Sequence, residues 1–283
     1  MGEDDKITKT VEAVESLVKA VPVYNDAIQP AAKQIGEVFE TLAKTIKVVL
    51  LPLTAIVWGY DRIGDFLQQK LTQKLANVPL DRIKTPSFIV AGPIIEGLQF
   101  ASEEETLREL YANLLATSID SETAKNAPPG FVQIIKNMSP DEARIMKFIA
   151  TEKSLPLIDI YIKNKISHSW NAVYRNFSFI GRDSKCEVLE LVPSYLNNLC
   201  RLGLTEIPIG DYLSDPENQT KQRRKSHIYS ELKKDKEVVE LIKDTAFKKD
   251  SFVDIKDKVI DLTDFGRQFC SACVIDKNLQ GKD

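Results

Sequence analysis

The sequence predicts a mainly α protein, with an N-terminal helical domain over residues 1–153 and a smaller α+β domain over 154–275. Three observations lead there. Before Lys153 apolar residues recur at helical spacing, as in Leu107, Leu110, Tyr111, Leu114 and Leu115. Beyond it they alternate, as in Ile158, Ile160 and Ile162. The chain has 283 residues, 43% hydrophobic and 28% charged, which is enough for one large core or two modest ones.

The elements follow in order. Residues 1–6 read as disordered. Ile7, Val11, Val14, Val18 and Val21 make a narrow amphipathic stripe that Pro22 ends. A second helix starts at Pro30 and buries Ile35, Val38, Phe39, Leu42 and Ile46. Pro52 restarts the chain, and a third helix runs from Leu53 to Leu75 with Ile63, Phe66, Leu67 and Leu71 inward. Pro79, Pro86 and Pro93 predict short helices over residues 79–100. Ser102 and Glu105 have the spacing of a capping box ahead of the Leu107 stripe. After a polar break from Asp120 to Pro129, the set Ser139, Pro140 and Glu142 opens another helix.

In the second domain Tyr174, Phe177 and Phe179 suggest more extended chain. A helix from Pro193 to Leu202 stops at Gly203. Leu204–Ile207 is extended, and Pro208 keeps it short or at a sheet edge. A charged insert occupies roughly 210–250, Val259–Leu262 is a strand, Thr263 caps a last helix through Cys273, and 276–283 is a tail. The order LCRLGLTEI, insert, KVIDLTDFGRQF resembles a winged-helix element. Its would-be recognition helix, PSYLNNLCRL, carries only Arg201 as a cation, which favours a packing or dimerisation module over a DNA reader.

Charge and cysteine usage narrow the function. A net charge of -3 gives no global pull toward nucleic acid or anionic membrane, so any such contact needs a local patch. Four cysteines in a chain this long are no disulfide framework, and the acidic start lacks the features of a signal peptide. The expectation is a cytosolic protein with reduced thiols. The longest uncharged run, Val48–Tyr60, is shorter than the roughly 20 residues of a spanning helix and contains Pro52. Within it Trp58 and Tyr60 are candidates for a partner or inner-membrane surface, against the favoured alternative that they lock two helices together.

Bond-making chemistry finds little support. The phosphate-cradling glycine motifs and the nucleophile elbow are missing. His168 and His227 stand alone, and Glu231-Leu232-Lys233 fits a nuclease triplet only formally. Cys270 and Cys273 form a C-x-x-C that could begin a zinc site, with Cys186 and Cys200 as distant candidates. Two buried thiols in the last helix is the favoured reading, and no cofactor is expected. Lys221, Arg223, Arg224 and Lys225 could meet nucleic-acid phosphates, but acids return at Glu231 and no aromatics interleave, so a solvated loop is favoured.

LRELYANLLATSID (107–120), PGFVQIIKNMSPDEARIM (129–146), LNNLCRLGLTEI, LTDFGRQFC and PLTAIVWGYDRI (52–63) together resemble the abortive infection alpha family over most of residues 30–275. That resemblance implies a bacterial phage-defence role and carries no catalytic residue, cofactor or substrate with it. The expected function is therefore defence through protein or membrane-surface interaction, with a protein partner or self-association, and no enzyme. The alternatives are a nucleic-acid-binding regulator using the winged-helix-like part and an unrecognised nuclease.

Overall fold

The computed structural model describes residues 60–101, 103–152, 154–208, 219–246 and 250–277, with scattered positions from Gly36 to Lys44; at Tyr60, Asp61, 219–226 and Ala246 it describes the backbone alone. The expected Ile7–Val21 stripe, the Pro52 break and Trp58 lie outside these residues. The described positions between Gly36 and Lys44 are helical and Val38 is buried, as the second predicted helix requires. Among the described residues there are two compact units: one runs to Met138 and resumes at Ala272, the other is Ser139–Ser271. The division thus falls at Met138 and not near Lys153. Long-range bonds decide it: Asp141 and Glu142, early in the next helix, are bonded to Glu187, Val188 and Asn198.

The first unit is built from helices α1 (Tyr60–Lys74), α2 (Phe88–Phe100), α3 (Glu105–Ile119) and α4 (Gly130–Lys136). In α1 the predicted stripe of Ile63, Leu67 and Leu71 is buried. Helix α2 is apolar nearly all round and buries Val90, Ala91, Ile94, Ile95 and Leu98, so it is the central element. It runs 13 residues straight through Pro93. Of the short helices expected here one forms, the turn Leu80–Arg82 after Pro79; Pro93 makes no break, because it forgoes a single bond to the carbonyl of Ile89, an exposed first-turn residue. Helix α3 begins at Glu105 behind Glu104, which provides no side-chain cap; Ser102 of the expected capping box lies outside the described residues. Gly97 exists for close approach: a Cβ there would lie 2.5 Å from the Tyr111 ring.

The segment from Ala272 closes this unit. Asn113 Nδ2 donates to the Cys273 carbonyl at 2.9 Å and Thr117 Oγ1 to the Ala272 carbonyl at 2.9 Å. Lys74 bridges Glu109 and Asp276, both at 2.9 Å. At the end of α3, Asp120 is fully buried, takes two bonds from Arg82 at 3.0 and 2.6 Å, and meets Lys277 at 2.8 Å. Burial alone would raise the Asp120 carboxyl. The bonds from Arg82, Lys277 and the Glu122 amide outweigh that and hold it at about 2.

The second unit contains α5 (Pro140–Thr151), β1 (Leu155–Asn164), β2 (Trp170–Phe177), α6 (Ile180–Asp183), α7 (Val192–Arg201), β3 (Thr205–Glu206), α8 (Gln219–Lys234), α9 (Lys236–Ala246), β4 (Ser251–Leu262) and α10 (Asp264–Phe269). Helix α5 carries the predicted capping box complete, with Ser139 Oγ accepting from the Glu142 amide at 3.2 Å and Glu142 Oε2 from the Ser139 amide at 2.6 Å. Ser139→Ala is expected to cost about 1 kcal/mol, read as a lower urea midpoint at unchanged slope. An unchanged midpoint would show the cap to be dispensable.

All pairings in the sheet are antiparallel, in the order β2-β1-β4-β3. The strand predicted at Val259–Leu262 is the end of a strand of 12 residues. The charged insert forms two helices, α8 and α9, which cover one sheet face. Tyr229, Leu232 and Val238 pack there on Ile158 and Ile160, with Val253 and Ile255 beside them. Gly203 takes φ 75° after α7, as predicted. The motif around Thr263 ties the following turn to β4: Thr263 Oγ1 donates to the Gly203 carbonyl at 2.5 Å and accepts from the Gly266 amide at 2.8 Å.

Candidate functional site

At its Leu155 end β1 is buried residue after residue, but from Tyr161 to Asn164 it is only partly covered. There the face turned away from α8 and α9 is open. The register sets three side chains abreast, Trp170, Lys163 and Phe252, with Tyr161 and Asp254 in the next row and Asp159 and Lys256 behind them. Trp170 is 61% exposed and Phe252 40%. Both are large apolar rings left in water, Trp170 at the tip of the β1–β2 hairpin and Phe252 beside it at the start of β4; Ile166 in the hairpin turn is exposed as well.

Cations are interleaved with these rings. Lys256 Nζ stands 5.4 Å from the Tyr161 ring centroid and Lys165 Nζ 6.0 Å from that of Phe252. Tyr161 meets Trp170 edge to face at 5.6 Å and 74°. Arg175 lies close enough to act on the Tyr161 hydroxyl electrostatically. Lys163 pairs with Asp254 at 2.6 Å. The named residues of this face therefore carry five cations, Lys163, Lys165, Arg175, Lys256 and Lys258, against two carboxylates, Asp159 and Asp254, in a chain that is acidic as a whole.

A buried polar network holds the face in shape. Asp159 accepts from the Asn176 amide at 2.9 Å, from the Tyr161 hydroxyl at 3.0 Å and from Lys258 Nζ at 3.2 Å. Lys258 also donates to Asn176 Oδ1 at 2.6 Å, and Asn176 Nδ2 reaches Asn197 on α7 at 3.2 Å. Asn176 sits at φ 55° beside a register shift between β1 and β2, a left-handed position that asparagine tolerates. Burial, then the bond to Asp159, pushes the Tyr161 hydroxyl above its usual range, so at neutral pH the ring keeps its proton and its fixed orientation.

A second cluster lies at the start of α5. Asp141 accepts from the Glu187 and Val188 amides at 2.9 and 3.0 Å and from Arg144 at 2.5 Å. Burial works against its ionisation, but those donors prevail and hold the carboxyl low. The two amide bonds tie the start of α5 to the segment at Glu187 and Val188, and Arg144 braces Asp141 from the same helix, so the cluster is a clasp.

Among known proteins, the family model described as "Abortive infection alpha" matches residues 59–273. The chain belongs to the abortive infection alpha family. No curated protein matches it. Among solved structures it is similar to an uncharacterized protein from the hydrocarbon-degrading marine bacterium Alcanivorax borkumensis SK2, at 17% identity over 54% of this chain and 94% of that one, with a TM-score of 0.28.

The family match takes in the whole sheet face but begins one residue after Trp58. Tyr60 opens α1, with only its backbone described. Lys221, Arg223, Arg224 and Lys225 lie in the first turns of α8, so the loop expected there is a helix; their side chains are outside the description. His227 is exposed on the same helix, and His168 is exposed at φ 53° in the β1–β2 turn. Cys270 and Cys273 are both buried, and burial pushes the Cys270 thiol up to about 12, the opposite of a reactive or metal-ready thiolate. Cys186 Sγ lies 3.3 Å from Ser184 Oγ, and Cys200 Sγ lies 3.3 Å from Thr205 Oγ1. Among the described residues no three His, Cys, Asp or Glu converge to hold a metal, and no helix is long and apolar enough to cross a membrane.

Sequence reasoning missed Tyr161, Trp170, Phe252 and Lys256. The signal was present: read with period two, residues 159, 161, 163 and 165 are Asp, Tyr, Lys, Lys, and 252, 254, 256 and 258 are Phe, Asp, Lys, Lys.

Proposed function

We propose that this chain is a phage-defence protein of the abortive infection type that acts by binding rather than by making or breaking bonds, and that the hairpin end of its sheet is the working surface. The observation that carries the reading is the exposure of Trp170 and Phe252 among lysines on a face that a buried network holds rigid. Rigid aromatic anchors with cations beside them are the groups that dominate recognition surfaces. The family name supports the defence role.

In this reading α7, the Gly203 turn, β3, β4 and α10 form a winged-helix-like support. Arg201, the one cation of α7, is bonded to Asn198 on its own helix, which suits a packing role. The protein works in the cytosol, alone or against a partner.

The test is a plaque assay on a host expressing the chain, set against a phage panel. The wild type is expected to lower plating efficiency for at least one phage. Trp170→Ala with Phe252→Ala is expected to abolish that protection while protein level and melting temperature stay the same. Undiminished protection by the double variant, or none from the wild type across the panel, would overturn the reading.

A further inference from the structure

Resting on the reading that this face is the working surface, we propose that the hairpin end of the sheet, where Trp170, Tyr161 and Phe252 stand among Lys163, Lys165, Arg175 and Lys256, binds single-stranded nucleic acid.

The argument starts from geometry. Neighbouring strands lie about 4.8 Å apart, and alternate residues along a strand about 7 Å apart. Trp170 and Phe252 therefore stand roughly 10 Å apart with Lys163 between them, and Tyr161 is one row behind. Rings at that spacing can take unstacked bases one or two nucleotides apart on an extended strand, and the cations between them sit where its phosphates pass. Exposed ring faces gain little from a duplex, whose bases are already stacked. Stacking on a side chain needs bases that are splayed out.

Charge selects the same occupant. The excess of cations on this face attracts a polyanion although the chain is acidic overall. The exposed carboxylate discriminates further. Asp254 lies in the middle of the face, paired with Lys163, while Asp159 beneath it is buried. A lipid surface pressed on the rings would strip water from Asp254. A single strand leaves it between its phosphates, where a carboxylate can accept from an exocyclic amino group of a base. The flat rings also distinguish this occupant from an acidic peptide, which would satisfy the lysines and leave the rings with nothing planar to stack on.

The experiment uses the purified full-length chain and fluorescein-labelled 12-nucleotide single-stranded RNA and DNA of mixed sequence, with a 20-base-pair duplex and vesicles of phosphatidylserine and phosphatidylcholine as comparison arms. Anisotropy at low salt is expected to show single-strand binding that weakens steeply with salt. Trp170→Ala is expected to weaken it about tenfold or more, and Trp170→Phe, which keeps a ring, to restore most of it. Lys256→Glu is expected to weaken binding far more than Lys147→Glu, an exposed lysine on α5 that changes the net charge equally. No single-strand binding, equal loss from the two lysine variants, indifference to Trp170→Ala, or preferential binding of duplex or vesicles would each overturn the proposal. If oligonucleotides fail while the Trp170 and Phe252 variants still lose phage protection, the surface reading stands and the nucleic-acid assignment falls. Oligonucleotide binding with undiminished protection gives the reverse.

Discussion

Asp120→Ala is expected to destabilise the protein by about 3–5 kcal/mol, a large part of the stability of an ordinary domain. The carboxylate is fully buried and is shared by Arg82 and Lys277, whose side chain is itself only 7% exposed. Removing it leaves a buried ammonium with only the neutral Thr123 hydroxyl to donate to, beside a guanidinium that keeps only the exposed Glu122. Asp120→Ala with Lys277→Met should recover part of the loss, because the second change removes one stranded charge. Acid gives an independent reading of the same group. Its carboxyl ionises at about 2 in the folded protein against an ordinary 3.8. A depressed folded value means that the stabilisation is complete above about pH 4 and is lost as pH falls toward 2, by about 2 kcal/mol in all. Urea midpoints measured between pH 5 and 2 should fall more steeply for the wild type than for Asp120→Asn. A cost under 1 kcal/mol for Asp120→Ala, or parallel pH profiles, would mean that water reaches the carboxylate in solution.

Gly266→Ala is expected to cost about 2–4 kcal/mol, combining overpacking with loss of the Thr263 cap. A Cβ at residue 266 would lie 1.8 Å from the Leu204 carbonyl oxygen and 2.8 Å from its carbon. Those are backbone atoms, in the stretch where Thr263 bonds Gly203 and Leu204, so no rotamer change relieves the clash. Gly203→Ala is the useful comparison. Its φ of 75° is strained for alanine, but the nearest atom to a new Cβ is the Phe265 ring at 3.7 Å, so only the conformational cost of about 1–2 kcal/mol applies. Thermal or urea unfolding should rank Gly266→Ala below Gly203→Ala, and the reverse order would show that the turn can open.

Much of this architecture was legible in the residues. The stripes of α1 and α3, the Ser139 box, the Gly203 stop and the Thr263 cap each rest on local chemistry, and local chemistry is what a single sequence displays. What it hid was settled by distant partners. Pro93 reads as a helix breaker until α2 is seen to keep its other bonds. Helix α5 looks like a continuation of the helices before it until Asp141 and Asn198 tie it to the second unit. The working face was hidden for the same reason. Phe252 and Lys256 fall between the expected insert and the expected strand at Val259–Leu262, and only pairing over ten residues with β1 turns them into neighbours of Tyr161 and Trp170.

The return of Ala272–Lys277 to the helices before Met138 constrains how the chain is made. During synthesis the first helices emerge complete except for the strand of sequence that supplies Lys277 to Asp120 and the carbonyls to Asn113 and Thr117. The ribosome must first translate Ser139–Ser271, which at roughly 5–20 residues per second takes on the order of ten seconds. Throughout that interval a nascent helical bundle waits with a buried acid lacking one of its two counter-charges, while the intervening unit has time to fold on its own.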